Sequence, residues 1–91
     1  MRLLVADVGN TSTAVGLWSD GRVSHVEHVD GPADAALGAA KRLVDKWRPE
    51  GAAYVSVVPA KDRRFLALFR RLALPAAQVS HPDFPVAGLR L

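Results

Sequence analysis

Leu3-Leu4-Val5-Ala6-Asp7-Val8-Gly9-Asn10-Thr11-Ser12-Thr13-Ala14-Val15-Gly16-Leu17-Trp18 reads as two apolar runs joined at a polar turn. Residues 2–8 are nearly continuously apolar, the pattern of a strand buried on both faces rather than one. Residues 12–18 read as its hairpin partner. The first strand ends by delivering the carboxylate of Asp7 to the turn. Gly9 lets the backbone approach an anion closely and adopt φ angles closed to other residues. Asn10 and Thr11 add side-chain donors, and successive N–H groups of such a turn can form an anion-binding nest. Asp7 would repel a phosphate directly, but it can hold a hydrated Mg²⁺ that bridges to one.

Outward from this hairpin, Asp20-Gly21 is a tight-turn signal between strand-like runs, and residues 22–29 make a third strand. His25, Glu27 and His28 give it an edge or one-sided character. Asp30-Gly31-Pro32 ends it. A helix is expected over 32–47: Pro32 suits the first helical position, Asp34 in the first turn complements the dipole, and Leu37, Ala40, Leu43, Val44 and Trp47 recur at helical spacing. Arg48-Pro49-Glu50-Gly51 stops it. Ala52-Ala53-Tyr54-Val55-Ser56-Val57-Val58 reads as a buried strand. A second helix follows over 60–73, with Phe65, Leu68, Phe69 and Leu72 on its apolar face and Lys61, Arg64 and Arg71 on its polar side. Residues 76–79 form a short last strand, and residues 81–91, with two prolines, an irregular tail. The order β-β-β-α-β-α-β describes an α/β mixed sheet with two helices, one domain over residues 1–80.

The hairpin turn resembles the first phosphate motif of the type III pantothenate kinases, Asp-x-Gly-Asn-Thr, four residues, then Gly. Asp7, Gly9, Asn10, Thr11 and Gly16 meet all five fixed positions. Ser56-Val57-Val58-Pro59 is similar to that family's Ser-Val-Val-Pro at a strand-to-helix junction. The resemblance implies a single RNase H-like (actin-like ATPase) domain of the acetate kinase/sugar kinase/Hsp70/actin superfamily. It implies that Asp7, Val8, Gly9, Asn10, Thr11, Ser12, Thr13 and Ala14 cradle the phosphates of ATP, with Asp7 on Mg²⁺. It further implies transfer of a phosphoryl group to pantothenate at the start of coenzyme A biosynthesis, a monovalent cation (K⁺ or NH₄⁺) whose ligands are not identifiable here, and a homodimer. The family's catalytic Asp lies in a Gly-Ala-Asp-Arg segment, which these 91 residues do not contain. No catalytic residue is therefore assigned. Gly88-Leu89-Arg90-Leu91 is similar to the lead-in to the pantothenate-binding segment, so the pocket for pantothenate is expected outside this sequence. The chain reads as a first part of such a kinase, expected to be inactive alone and to need a second copy or the other half of the fold.

Composition bounds the alternatives. With no cysteine, disulfides, thiolate metal sites and cysteine nucleophiles are excluded. The apolar runs are far shorter than a membrane span, and Asp7 interrupts the stretch that would imitate a signal peptide, so a cytoplasmic location is expected. Much of the 49% hydrophobic content is Ala, and only six residues are aromatic, so the core is small and a partner surface would help. The formal charge is +3. The basic residues are spread along the chain, which gives no argument for nucleic acid from charge alone. Arg63-Arg64 and Arg70-Arg71 read as a solvated helix face, with a phosphate or nucleic-acid patch as the minority reading.

Two other readings of the same turn remain. One is a non-catalytic binding or regulatory module of the same fold. The other is an RNase H-like resolvase-type nuclease, which also begins with Asp-x-Gly on its first strand. That chemistry needs further carboxylates converging on two metals, and Glu27 and Glu50 are not placed at obvious strand ends facing Asp7. His25 and His28, three apart on a strand, are expected on opposite faces. Gly16 reads as a packing position, and Ser56 as a polar residue on a buried strand.

Overall fold

The hairpin occupies the centre of a five-stranded sheet in the computed structural model, which describes residues 1–9, 11–31, 33–56 and 59–78, with residues 33, 56, 59–62 and 78 described by backbone alone. Strands β1 (Arg2–Val8), β2 (Ser12–Ser19) and β3 (Arg22–Asp30) run antiparallel in a meander. Helix α1 (Ala33–Trp47) then crosses to β4 (Gly51–Ser56), which lies parallel to β1. Helix α2 (Pro59–Arg71) crosses to β5 (Ala76–Gln78), parallel to β4. The sheet order is β3-β2-β1-β4-β5, so β1 is central, which is why its sequence is apolar on both faces.

Both helices cover one face. Leu4, Ala6 and Val8 of β1, Val15 and Leu17 of β2 and Ala52 and Tyr54 of β4 meet Ala36, Ala39, Ala40 and Leu43 of α1 and Phe65, Leu68 and Phe69 of α2. The expected apolar seam of α1 is rotated. Ala36, Ala39 and Ala40 lie innermost, while Leu37, Val44 and Trp47 are only partly buried. Small side chains on the inner stripe let the helix axis approach the sheet. The opposite face carries a second cluster, Val5, Ala14, Ala53 and Val55, with Leu3, Trp18, Val23 and Val26 packed against it. Gly16, opposite Val5, is buried. Among the described residues, no helix is long and apolar enough to cross a membrane.

The turns follow local chemistry. Asp20 and Gly21 both have positive φ, 51° and 80°, the pairing a type I′ hairpin turn requires. Helix α1 stops where Arg48 enters the left-handed region, its N–H donating to the Val44 carbonyl at 2.9 Å. Helix α2 is shorter than the expected 60–73. It begins at Pro59 and ends at Arg71, because Ala73 turns to φ 57° and Leu74 donates back to the Phe69 carbonyl at 2.8 Å, a C-terminal cap of the kind usually built on Gly. Strand β4 begins one residue earlier than read, at Gly51, and β3 extends to Asp30. Residues 57–58 of the expected strand, Val79 and the tail 81–91 lie outside the described residues.

Candidate functional site

Strand β1 places Asp7 between two neighbours, Ala14 of β2 and Val55 of β4. Alternation sets Leu3, Val5 and Asp7 on the face away from the helices, where Ala14 and Val55 also belong. Asp7 is half-buried there. One step further, Val8 pairs with Thr13 and Ser56, and its side chain goes into the helix-side core. The carboxylate thus leaves the sheet at the carboxyl edge of two parallel central strands, next to the point where the chain order reverses from β2 to β4. Open α/β sheets bind ligands outside that edge.

The turn is closed by backbone bonds. The Gly9 N–H donates to the Ser12 carbonyl at 3.0 Å, and the Gly31 N–H donates to the Thr11 carbonyl at 3.0 Å. The second bond ties the corner between β3 and α1 to the turn. Sequence reasoning assigned Gly31 no more than the end of a strand. Its φ of 95°, a conformation suited to Gly, is what lets the corner reach Thr11. The need for Gly9 differs from expectation: its φ is not in the left-handed region, and the constraint is space. A Cβ there would stand 2.8 Å from the Ser12 carbonyl oxygen.

The expected site residues divide by what they can offer. Thr11 and Ser12 are exposed, and Gly9 is half-buried. Thr13 is 3% exposed and shares the helix-side face with Val8, so toward the Asp7 side it presents backbone. Ala14 is buried beside Asp7 and acts as its small floor. Asn10 lies outside the described residues. Both helices begin at this same end. Helix α1 follows the end of β3 at Asp30, which pairs with Ser12, and α2 begins three residues after Ser56. Their N-terminal partial positive charges therefore lie at the same end of the sheet as the turn, on the face opposite to Asp7. Gly16 is placed as read, in packing, whereas Ser56, read as lying within a strand running to residue 58, is the last residue of β4.

The imidazoles do not join the turn. A register shift opposite Gly16 inserts one extra residue in β3, and His25 takes φ 53° there. This bulge turns His25 onto the helix side, stacked on Trp47 with ring centroids 4.5 Å apart. His28 pairs with Ala14 and so faces the other side. Among the described residues, no group of three or more His, Asp or Glu could hold a metal ion. At this edge Asp7 adjoins the turn on the central strand, and Asp30, paired with Ser12, stands two strands away on the same face. That suits a hydrated Mg²⁺ carried in with phosphates, since Mg²⁺ keeps several waters and takes one or two carboxylates in such sites.

Gly9→Ala is expected to break the Gly9–Ser12 bond and cost about 1 kcal/mol of stability, with loss of anion binding at the turn. Gly21→Ala is the contrast. Its Cβ would meet nothing within 4 Å, but its φ of 80° penalises a side chain by about 1 kcal/mol. Urea denaturation of both variants should show similar losses, while only Gly9→Ala weakens anion binding.

No protein-family model matches the chain, and no curated protein does. Solved structures do. The chain is similar to Thermus thermophilus RuvC, with 22% identity, a TM-score of 0.62, and coverage of 86% of this chain and 60% of RuvC. For T. thermophilus RuvC in complex with a Holliday junction substrate the values are 19%, 0.62, 87% and 64%. For Archaeoglobus fulgidus Pelota they are 10%, 0.59, 91% and 28%. The fold is RNase H-like, as the resemblance implied. The chain spans 60% to 64% of the length of the RuvC chains it matches.

Proposed function

We propose that this chain is the ATP-phosphate-binding part of a phosphotransferase resembling the type III pantothenate kinases. The observation that carries this reading is the arrangement at Asp7. A single carboxylate at the edge of the central strand adjoins a turn so tight that Gly9 has no room for a side chain. Phosphoryl transfer relies on positioning and charge neutralisation more than on covalent chemistry from the protein. In this reading Asp7 holds Mg²⁺ through water, the Gly9 N–H bond to the Ser12 carbonyl shapes the turn, and the Thr11 and Ser12 hydroxyls with the turn's remaining amides receive the phosphates. The acceptor pocket, the general base and the monovalent-cation site are supplied by residues outside this sequence, in a homodimer or by the other half of the fold.

The likeness to RuvC favours a second reading, an RNase H-like nuclease that uses Asp7 as one ligand of a two-metal centre. Asp30, paired with Ser12, comes to the same edge and face two strands from Asp7, but among the described residues no group of three or more His, Asp or Glu that could hold a metal forms there, and the Asn10-Thr11 turn favours the kinase reading. One pair of assays separates them. The 91-residue chain is expected to show no pantothenate-dependent ADP release with ATP and Mg²⁺, to bind Mg²⁺-ATP at roughly millimolar concentration, about 4 kcal/mol, and to leave a four-way DNA junction intact. Junction cleavage abolished by Asp7→Asn would replace the kinase reading with the nuclease one. Pantothenate-dependent turnover abolished by the same change would overturn the assignment of the base to residues outside the chain.

A further inference from the structure

The helix layer of the folded chain gathers cations that the sequence spreads out. Lys41 and Arg42 of α1 and Arg63, Arg64, Arg70 and Arg71 of α2 are all exposed on the helix layer, against Asp34 and Asp45 among its described side chains. The strands and turns of the sheet carry Asp7, Asp20, Glu27 and Asp30 beside Arg2 and Arg22, and Glu27 reaches the helix layer to pair with Arg42 at 3.3 Å. Between the helices runs an open furrow of about 400 Å³. Its floor includes Leu37 and Leu68, and Lys41, Arg64 and Arg71 stand along it, with Asp34 at the end nearest the start of both helices.

We propose that this furrow docks an acidic amphipathic helix of a partner polypeptide, apolar side chains on the Leu37–Leu68 floor and carboxylates on Lys41, Arg64 and Arg71. Two features select this occupant. The apolar floor gives nothing to a nucleic-acid backbone, whereas a helix laid between two helices fills it with side chains. The rim is cationic, and its existing pairs exchange readily. Arg64 meets Asp34 with both side chains more than half exposed, and Lys41 meets Asp45 at 3.1 Å with exposures of 58% and 59%. Such solvent-exposed pairs contribute little and give way to a better-placed carboxylate. The inference is independent of the turn at Asp7, which lies at the edge of the sheet and on its other face.

The test titrates the 91-residue chain with a designed 20-residue helix bearing leucines at i, i+3, i+4 and i+7 and glutamates on the flanks. The comparators are the same peptide with lysines for glutamates and a 20-base-pair DNA duplex. The acidic peptide is expected to bind at least tenfold tighter than either, with amide shifts centred on Leu37, Lys41, Leu68 and Arg71, and to weaken at least tenfold in Arg71→Glu and in the double variant Arg64→Glu/Arg71→Glu. Both positions are exposed, and circular dichroism should show unchanged thermal midpoints within a few degrees. Equal or tighter binding of the duplex would replace the peptide by a nucleic acid. Shifts elsewhere, insensitivity to the charge reversals, or no binding at 1 mM peptide would each overturn the proposal.

Discussion

Replacing Asp7 by Asn is expected to weaken Mg²⁺-ATP binding by about thirtyfold while leaving metal-free phosphate bound equally or better. The estimate comes from Coulomb's law: a unit negative charge about 4 Å from a divalent ion is worth about 2 kcal/mol even at the dielectric constant of water. Asp7 is half-buried, so water screens it less than it would a surface carboxylate, and the effect should not be smaller. The opposite sign for the bare anion follows because the substitution removes a repelling charge and adds an amide donor. Calorimetry with ATP, with and without Mg²⁺, reads both. Equal loss in the two titrations would mean that the residue supports the turn and does not hold the ion.

The largest effect on stability is expected at Phe65. It is 0% exposed and packs at 6.0 Å between ring centroids on Phe69, which in turn meets Tyr54 at the same separation. Phe65→Ala should cost about 3–5 kcal/mol. A chain of this size has roughly 5–14 kcal/mol in total, toward the low end because a small domain buries a modest fraction of its surface. The buried cluster that holds Phe65 is rich in short side chains, among them Ala36, Ala39 and Ala40, which cannot extend to refill the space. Urea denaturation is expected to show a loss of one third or more of the unfolding free energy, with Arg70→Ala, exposed on the same helix, close to unchanged. A Phe65 loss below about 1 kcal/mol would mean that α2 does not pack on the sheet as described.

The sheet was legible because its signals are local. Leu3-Leu4-Val5-Ala6 could sit only at the centre of a sheet, and Asp20-Gly21 marks a turn that needs two positive φ values, as observed. The Asp7 position followed from the same run. What escaped the sequence arises between elements. The bulge that turns His25 onto Trp47 comes from fitting β3 to β2 opposite Gly16. Ala73 caps α2 in a conformation its residue type does not advertise. The innermost stripe of α1 is Ala because close approach to the sheet outweighs side-chain size, so the larger Leu37 and Val44 marked its flanks. The bond from Gly31 to Thr11 joins the third strand's end to the phosphate turn, and nothing in Asp30-Gly31-Pro32 distinguishes it from an ordinary stop. Segregation of the cations onto the helix layer likewise needs the faces of both helices at once.

The site claim rests on the turn that follows Asp7, and an NMR titration of the isotope-labelled chain with Mg²⁺-ATP addresses it most directly. Amide shifts are expected to centre on Asp7, Gly9, Thr11 and Ser12, to extend to Gly31 through its bond to Thr11, and to be abolished in Gly9→Val, whose side chain would press on the Ser12 carbonyl. Shifts centred instead on Arg63, Arg64, Arg70 and Arg71, with residues 7–12 unmoved, would contradict it.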